Sequence, residues 1–138
     1  MKKQLLLFCA AALLVLMLMP AAARSEAAEW KDYDQGMAEA KKTGRPVLID
    51  FYTTWCRECR KMEETTFSDP AAMRVLASRF VPVRVDAEKQ PALASKYKIF
   101  GYPTFVVTDA SGNAVAMKVG YMDAGQFKNF VLTVPIKK

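Results

Sequence analysis

Cys56 and Cys59 stand three residues apart in the run Trp55-Cys56-Arg57-Glu58-Cys59, and they are two of only three cysteines in 138 residues. Thiols at that spacing can close into a disulfide and reopen, exchanging two electrons with another disulfide through thiolate attack. The chain has no histidine. That excludes Ser-His and Cys-His nucleophilic pairs, and it leaves any zinc site short of the usual four Cys and His ligands. A structural staple here would gain little, because so short a loop hardly restrains the unfolded chain. On these residues alone, a structural bridge or a pair of idle thiols stays open beside the redox reading.

Reactive thiols need elements to hold them. The β-branched and aromatic run Val47 to Tyr52 reads as a buried strand. Thr53 to Phe67 then reads as a turn followed by a helix starting near Cys56. A thiol at a helix N-terminus meets free N–H groups and the positive end of the dipole, which favour the thiolate. Such settings lower a thiol pKa from about 8.5 to somewhere between ~3.5 and ~7.5. Cys56 is therefore the candidate nucleophile. Cys59, one turn later, is the candidate to resolve a mixed disulfide.

The flanking sequence alternates helix and strand. Trp30, Tyr33, Met37 and Ala40 recur at helical spacing over Trp30 to Lys42, and Gly44 and Pro46 stop that helix. Asp69 caps and Pro70 opens a helix through Arg79. Phe80 to Val85 is a second strand, at an edge or irregular at its start because Pro82 cannot donate to a ladder. Pro91 opens a short helix through Tyr97. Two strands, Thr104 to Thr108 and Ala114 to Val119, flank the turn Ala110-Ser111-Gly112-Asn113. Asp123 caps a last helix, Ala124 to about Thr133, which Pro135 stops from continuing. The order predicts an α/β fold, its sheet covered by helices on both faces and ending in an antiparallel hairpin.

The start of the chain reads as targeting. Lys2 and Lys3 precede an apolar run from Leu5 to Met19, then Pro20 and Ala21-Ala22-Ala23. This is the pattern of a secretory signal peptide over residues 1–23, with cleavage after Ala23 first and after Ala27 second. The competing reading is an uncleaved anchor, since Gln4 to Ala23 is 20 uncharged residues, enough for a bilayer. Either way Glu26 onward lies across the membrane, in the periplasm, free or held at the inner membrane. Cys9 lies too early in the apolar run for lipidation. Residues 24–29 read as a short tether and 30–138 as one domain. Loss of the leader leaves 18 basic against 14 acidic side chains. They form no basic stripe interleaved with aromatics, which argues against nucleic acid.

Three segments together carry a resemblance: V-L-I-D-F-Y-x-x-W-C-x-x-C from Val47, K-Y-K-I-F-G-Y-P-T from Lys96, and K-V-G-Y-M-D-A-G-Q-F from Lys118. They resemble the signature segments of thioredoxins, in the right order. A-K-K-x-G-R-P-V, T-F-S-D-P and G-Y-M-D-A are further similar to the C-terminal thioredoxin-like domain of DsbD-type interchange proteins. The resemblance implies the thioredoxin fold, a central mixed sheet with helices on both faces. It implies chemistry by a Cys56–Cys59 redox disulfide, with no organic cofactor and no metal. Pro103 matches a cis-proline that faces the pair and exposes the backbone of Tyr102 to an extended substrate; Tyr102 biases which partners fit. Asp50, at the end of its strand, matches a buried acid that exchanges a proton with the second cysteine, and burial should raise its pKa. Glu63, one helical turn after Cys59, matches a second acid of the DsbD-type domain. Trp55 packs beside the pair and shields it. Gly120 matches a family glycine near the cis-proline.

The activity implied is an exported thiol:disulfide oxidoreductase that reduces disulfides in exported proteins as a monomer. The membrane-embedded and N-terminal parts of DsbD-type proteins have no counterpart here, so the expected electron donor is a separate membrane-bound protein of DsbD or CcdA type. Arg57 and Glu58 depart from the Gly-Pro of thioredoxins and the Pro-His of strong oxidants. Their charges act oppositely on the Cys56 thiolate, which favours a reductant of intermediate to low potential. A disulfide oxidase or isomerase on the same fold, and a non-catalytic binding module, are the alternatives.

Overall fold

A computed structural model describes residues 28–136; the leader, and with it the signal-peptide and anchor expectations, lies outside the described residues. Four strands, β1 (Val47–Tyr52), β2 (Val81–Asp86), β3 (Thr104–Thr108) and β4 (Ala114–Val119), form one sheet in the order β2-β1-β3-β4. β2 runs parallel to β1, whereas β3 is antiparallel to both β1 and β4. The helices are α1 (Tyr33–Thr43), α2 (Arg57–Lys61), α3 (Pro70–Arg79), α4 (Pro91–Lys96) and α5 (Ala124–Thr133). α2 continues as a π-helical turn over Met62–Thr66. This is the thioredoxin fold, with the expected order of elements.

Strand alternation builds the two faces. Val47, Ile49 and Phe51 of β1 pack with Val81, Val83, Val85 and Val106, beneath Met37 and Ala40 of α1. Leu48 points the other way, into a cluster with Met62, Leu76, Phe105 and Phe127. Each such side chain taken from water contributes about 1.5–3 kcal/mol. Both faces of β1 are therefore apolar, and by the same alternation Asp50 falls on the Leu48 face.

β2 lies at the sheet edge, as Pro82 requires. The Pro82 carbonyl accepts the Lys31 N–H, and the Arg84 N–H donates to the Lys31 carbonyl, both at 3.0 Å. Lys31 thus extends the edge by one bridge. That bridge corrects the first helix. Trp30 is outside it, because Asp32 takes the cap position and accepts the Gln35 N–H at 2.8 Å. The Trp30 ring lies 4.9 Å from Phe67 on the Leu48 face, whereas Tyr33 packs on the Ile49 face. Apolar spacing ran across two elements that part at the sheet edge.

Other ends follow their capping residues. Asp69 accepts the Ala71 N–H ahead of Pro70, and Asp123 with Gln126 forms a capping box. Gly44 closes α1 at φ 71°, a left-handed position that favours glycine. No helix among the described residues is long and apolar enough to cross a membrane.

Candidate active site

β1 delivers its chain directly into α2. The Thr53 carbonyl accepts the Cys56 N–H at 3.4 Å, and the Cys56 carbonyl accepts the Arg60 N–H at 3.2 Å. Cys56 is thereby the cap residue of α2, and it forms a disulfide with Cys59 across 5.3 Å between Cα atoms. The Cys59 N–H donates to Cys56 Sγ at 3.1 Å. In a reduced pair an ionised Cys56 sulfur would be a stronger acceptor for an N–H so placed.

Cys56 opens on a groove of about 400 Å³, lined also by Trp55, Arg57, Glu58, Phe100, Gly101 and Tyr102. The Tyr102–Pro103 peptide bond is cis. The Pro103 carbonyl accepts the Gly120 N–H at 2.8 Å, and Gly120 has φ 99°, so β4 ends in a conformation suited to glycine. Trp55 stands at the side of the groove, 65% exposed. Its indole N–H donates to Glu88 at 2.9 Å, and its ring meets Tyr102 edge-on at 5.9 Å. Phe100, 95% exposed, was not anticipated as a groove residue; a bulky apolar side chain beside Gly101 in a loop was the available signal.

Asp50 is the fourth of six residues in β1, not its end, and is 1% exposed. The parallel register sets it beside Arg84, whose Nε lies 2.9 Å from Asp50 Oδ2. Nη2 of the same guanidinium lies 2.8 Å from Glu63 Oε1. Burial pushes the Asp50 carboxyl up to about 6; the Arg84 charge and hydrogen bond pull against it, and Glu63 adds a smaller upward push. Asp50 Oδ1 is buried without a hydrogen bond.

Glu63 sits on the π turn, not on a regular turn of the expected helix. There the Phe67 N–H reaches back five residues to the Met62 carbonyl at 2.8 Å. π turns recur at functional sites, and the extra residue per turn shifts side-chain register. The Thr66 hydroxyl donates to the Met122 carbonyl at 2.6 Å and fastens this turn to the loop before α5.

Arg84 was missed as a site residue. Its signal was a cation between Val83 and Val85 in an apolar strand, a position that requires a charged partner. Among the described residues no cluster of side chains suits a metal ion.

Residues 33–135 match the family described as "Thioredoxin-like domain". The chain is 34% identical over 101 residues to the thiol:disulfide interchange protein DsbD of Yersinia pestis, covering 70% of this chain and 17% of that protein. DsbD of Salmonella typhi is 36% identical over 101 residues, with 70% and 18% covered. The chain thus spans under a fifth of the length of these relatives. Among solved structures, a thioredoxin from Thermus thermophilus matches with TM-score 0.69 and 27% identity, over 79% of this chain and 88% of that one. The oxidised C-terminal domain of Neisseria meningitidis DsbD matches with TM-score 0.62 and 25% identity, over 74% and 91%. With a disulfide at the head of α2 and these likenesses across nearly the whole described domain, the chain belongs to the thioredoxin-like disulfide oxidoreductases.

Proposed function

We propose that this protein is exported and reduces disulfides in periplasmic proteins, with Cys56 as nucleophile and Cys59 as resolving thiol. The observation that carries the reading is the Cys59 N–H aimed at Cys56 Sγ at the edge of an open groove. A Cys56 thiolate attacks one sulfur of the substrate disulfide, forming a mixed disulfide and expelling the other substrate sulfur as a thiolate. Cys59 then loses its proton to Asp50 and attacks Cys56 Sγ. The Cys56–Cys59 bond forms, the remaining substrate sulfur departs with its electron pair, and the cysteine pair is oxidised as the substrate is reduced. Tyr102 and Pro103 offer backbone to an extended substrate, and Trp55 walls the groove. Glu63 assists Asp50 from the surface side.

The basic, apolar and small-residue pattern of residues 1–23 supports export, with a cleaved leader before a monomeric domain. A separate membrane-bound donor of DsbD or CcdA type would return the pair to the dithiol. The reductant direction is supported by Arg57 and Glu58, whose opposed charges add no strong net stabilisation to the Cys56 thiolate beyond that of the helix N-terminus.

Two measurements test this. Cys59→Ser should accumulate mixed disulfides with oxidised exported proteins, and insulin should be reduced by the wild type; no trapped partner and no insulin reduction would leave a docking module. A reduction potential near about −120 mV would instead assign a disulfide oxidant.

A further inference from the structure

Two hollows meet at Arg57. One is the groove on which Cys56 opens, walled by Trp55, Phe100 and Tyr102. The other, about 320 Å³, is lined by Arg57, Arg60, Lys61 and Glu64. Arg57 borders both, so a segment lying in the groove can reach the second hollow across that side chain. The two differ in character. Phe100 is 95% exposed in the groove, and Val119 continues its apolar rim, with Cγ1 3.7 Å from where a Cβ on Gly101 would stand. In the second hollow three cations face one carboxylate.

Those cations do little for the fold. Among the described residues neither Arg57 nor Arg60 enters an ion pair, whereas Arg45, Arg84, Lys31, Lys89 and Lys128 each do. Arg57 is also the first residue of α2, where the helix dipole favours acids and opposes a cation. Lys61 is held with its ammonium 4.2 Å from the centre of the Tyr121 ring. Exposed cations left without partners beside a contiguous apolar rim mark a surface that another molecule completes.

We propose that Arg57, Arg60 and Lys61 select the substrate: the protein prefers an extended segment whose redox cysteine is flanked by carboxylate side chains, with an apolar residue against Phe100. This deepens the proposed reductase reading and rests on it. Carboxylates in the hollow make the ion pairs that the fold leaves unmade, and arginine forks take them two oxygens at a time. The local positive field also draws an acidic segment toward Cys56. A peptide segment fits better than an anionic membrane, because Glu58 and Glu64 stand among the cations. A lipid surface would meet those acids too, whereas a narrow segment can place its charges between them.

The test mixes the full chain, reduced beforehand, with synthetic peptides that hold one internal disulfide flanked by Asp-Asp, Asn-Asn or Lys-Lys. Each event oxidises Cys56 and Cys59 to their disulfide and leaves the peptide with two thiols. At about 20 mM salt the Asp-Asp peptide should react about fivefold faster than Asn-Asn, with Lys-Lys slowest. Raising salt to about 0.5 M should bring the three rates together. The ratio of rates is the readout, because it cancels any change in Cys56 reactivity. Arg60→Gln should cut the Asp-Asp advantage to about twofold, and Arg60→Glu combined with Lys61→Glu should invert it. Equal rates, a Lys-Lys preference, or an Asp-Asp preference that survives the double charge reversal overturns the proposal; should the double variant fail to fold, an advantage undiminished in Arg60→Gln does so. Binding of the wild type to phosphatidylglycerol vesicles, with equal peptide rates, assigns the patch to a membrane and overturns it as well. A wild type that reduces neither the peptides nor insulin removes the exchange reading itself; reduction of all three peptides at one rate removes only the acidic preference.

Discussion

Replacing Asp50 by asparagine keeps the side-chain shape and deletes a buried charge. In the fold the carboxyl titrates at about 6, against 3.8 for an ordinary aspartate, and burial is the leading cause. The folded state therefore holds its proton more tightly than the unfolded chain. The stability this lends is fully present below about pH 3.8 and is lost as pH rises through about 6. A difference of about two pKa units corresponds to roughly 3 kcal/mol. The asparagine variant has no such term, so its stability minus that of the wild type should grow by roughly 3 kcal/mol between pH 3.5 and pH 7.5.

The constant part of that difference is set by hydrogen bonding. The amide oxygen can still accept from Arg84 Nε, as Oδ2 does now. The amide nitrogen takes the place of Oδ1, which has no partner in the wild type either, so the constant part is only the difference between two unpaired buried polar atoms. The pH-dependent part survives this offset. Urea denaturation of the oxidised proteins across that range measures it through the midpoint at constant slope. A difference that stays flat within about 1 kcal/mol, or one that shrinks as pH rises, would refute the assignment of burial as the dominant influence on Asp50.

Two further outcomes concern the frame that holds the site. A Cβ at Gly36 would run into the Val83 side chain where α1 crosses β2; Gly36→Ala should cost about 1–3 kcal/mol in urea denaturation, and an unchanged midpoint would mean that α1 can lift away freely. Phe127 is fully buried, with ring centroids 5.6 Å from Phe67 and 5.7 Å from Phe105; Phe127→Ala should cost about 3–5 kcal/mol, and a loss under about 1 kcal/mol would show that the cluster can collapse into the space.

The legible features were those with local causes. Asp69-Pro70 and Asp123 start helices because their side chains accept N–H groups two and three residues on. Pro82 announced an edge because its missing N–H removes one ladder bond at that residue, whatever the rest of the chain does. Cys56 and Cys59 were legible for the same reason, since a single turn of backbone sets their separation. Trp30 was misread because a periodic apolar stripe says nothing about which face of a distant sheet receives it. The π turn at Met62–Thr66 left no readable mark, since its anchor is the Met122 carbonyl, 56 residues from Thr66.

By itself, the sequence determined the order of elements, the helix caps and the candidate thiol pair, all of which depend on neighbours within a few residues. Tertiary structure alone decided the setting of the acid: Asp50 and Arg84 are 34 residues apart and meet only because parallel β1 and β2 pair in one register. A shift of one residue in that register would turn Arg84 to the opposite face and leave Asp50 buried without its cation. Pairing register is a property of two packed strands together, and neither strand carries it in its own residues.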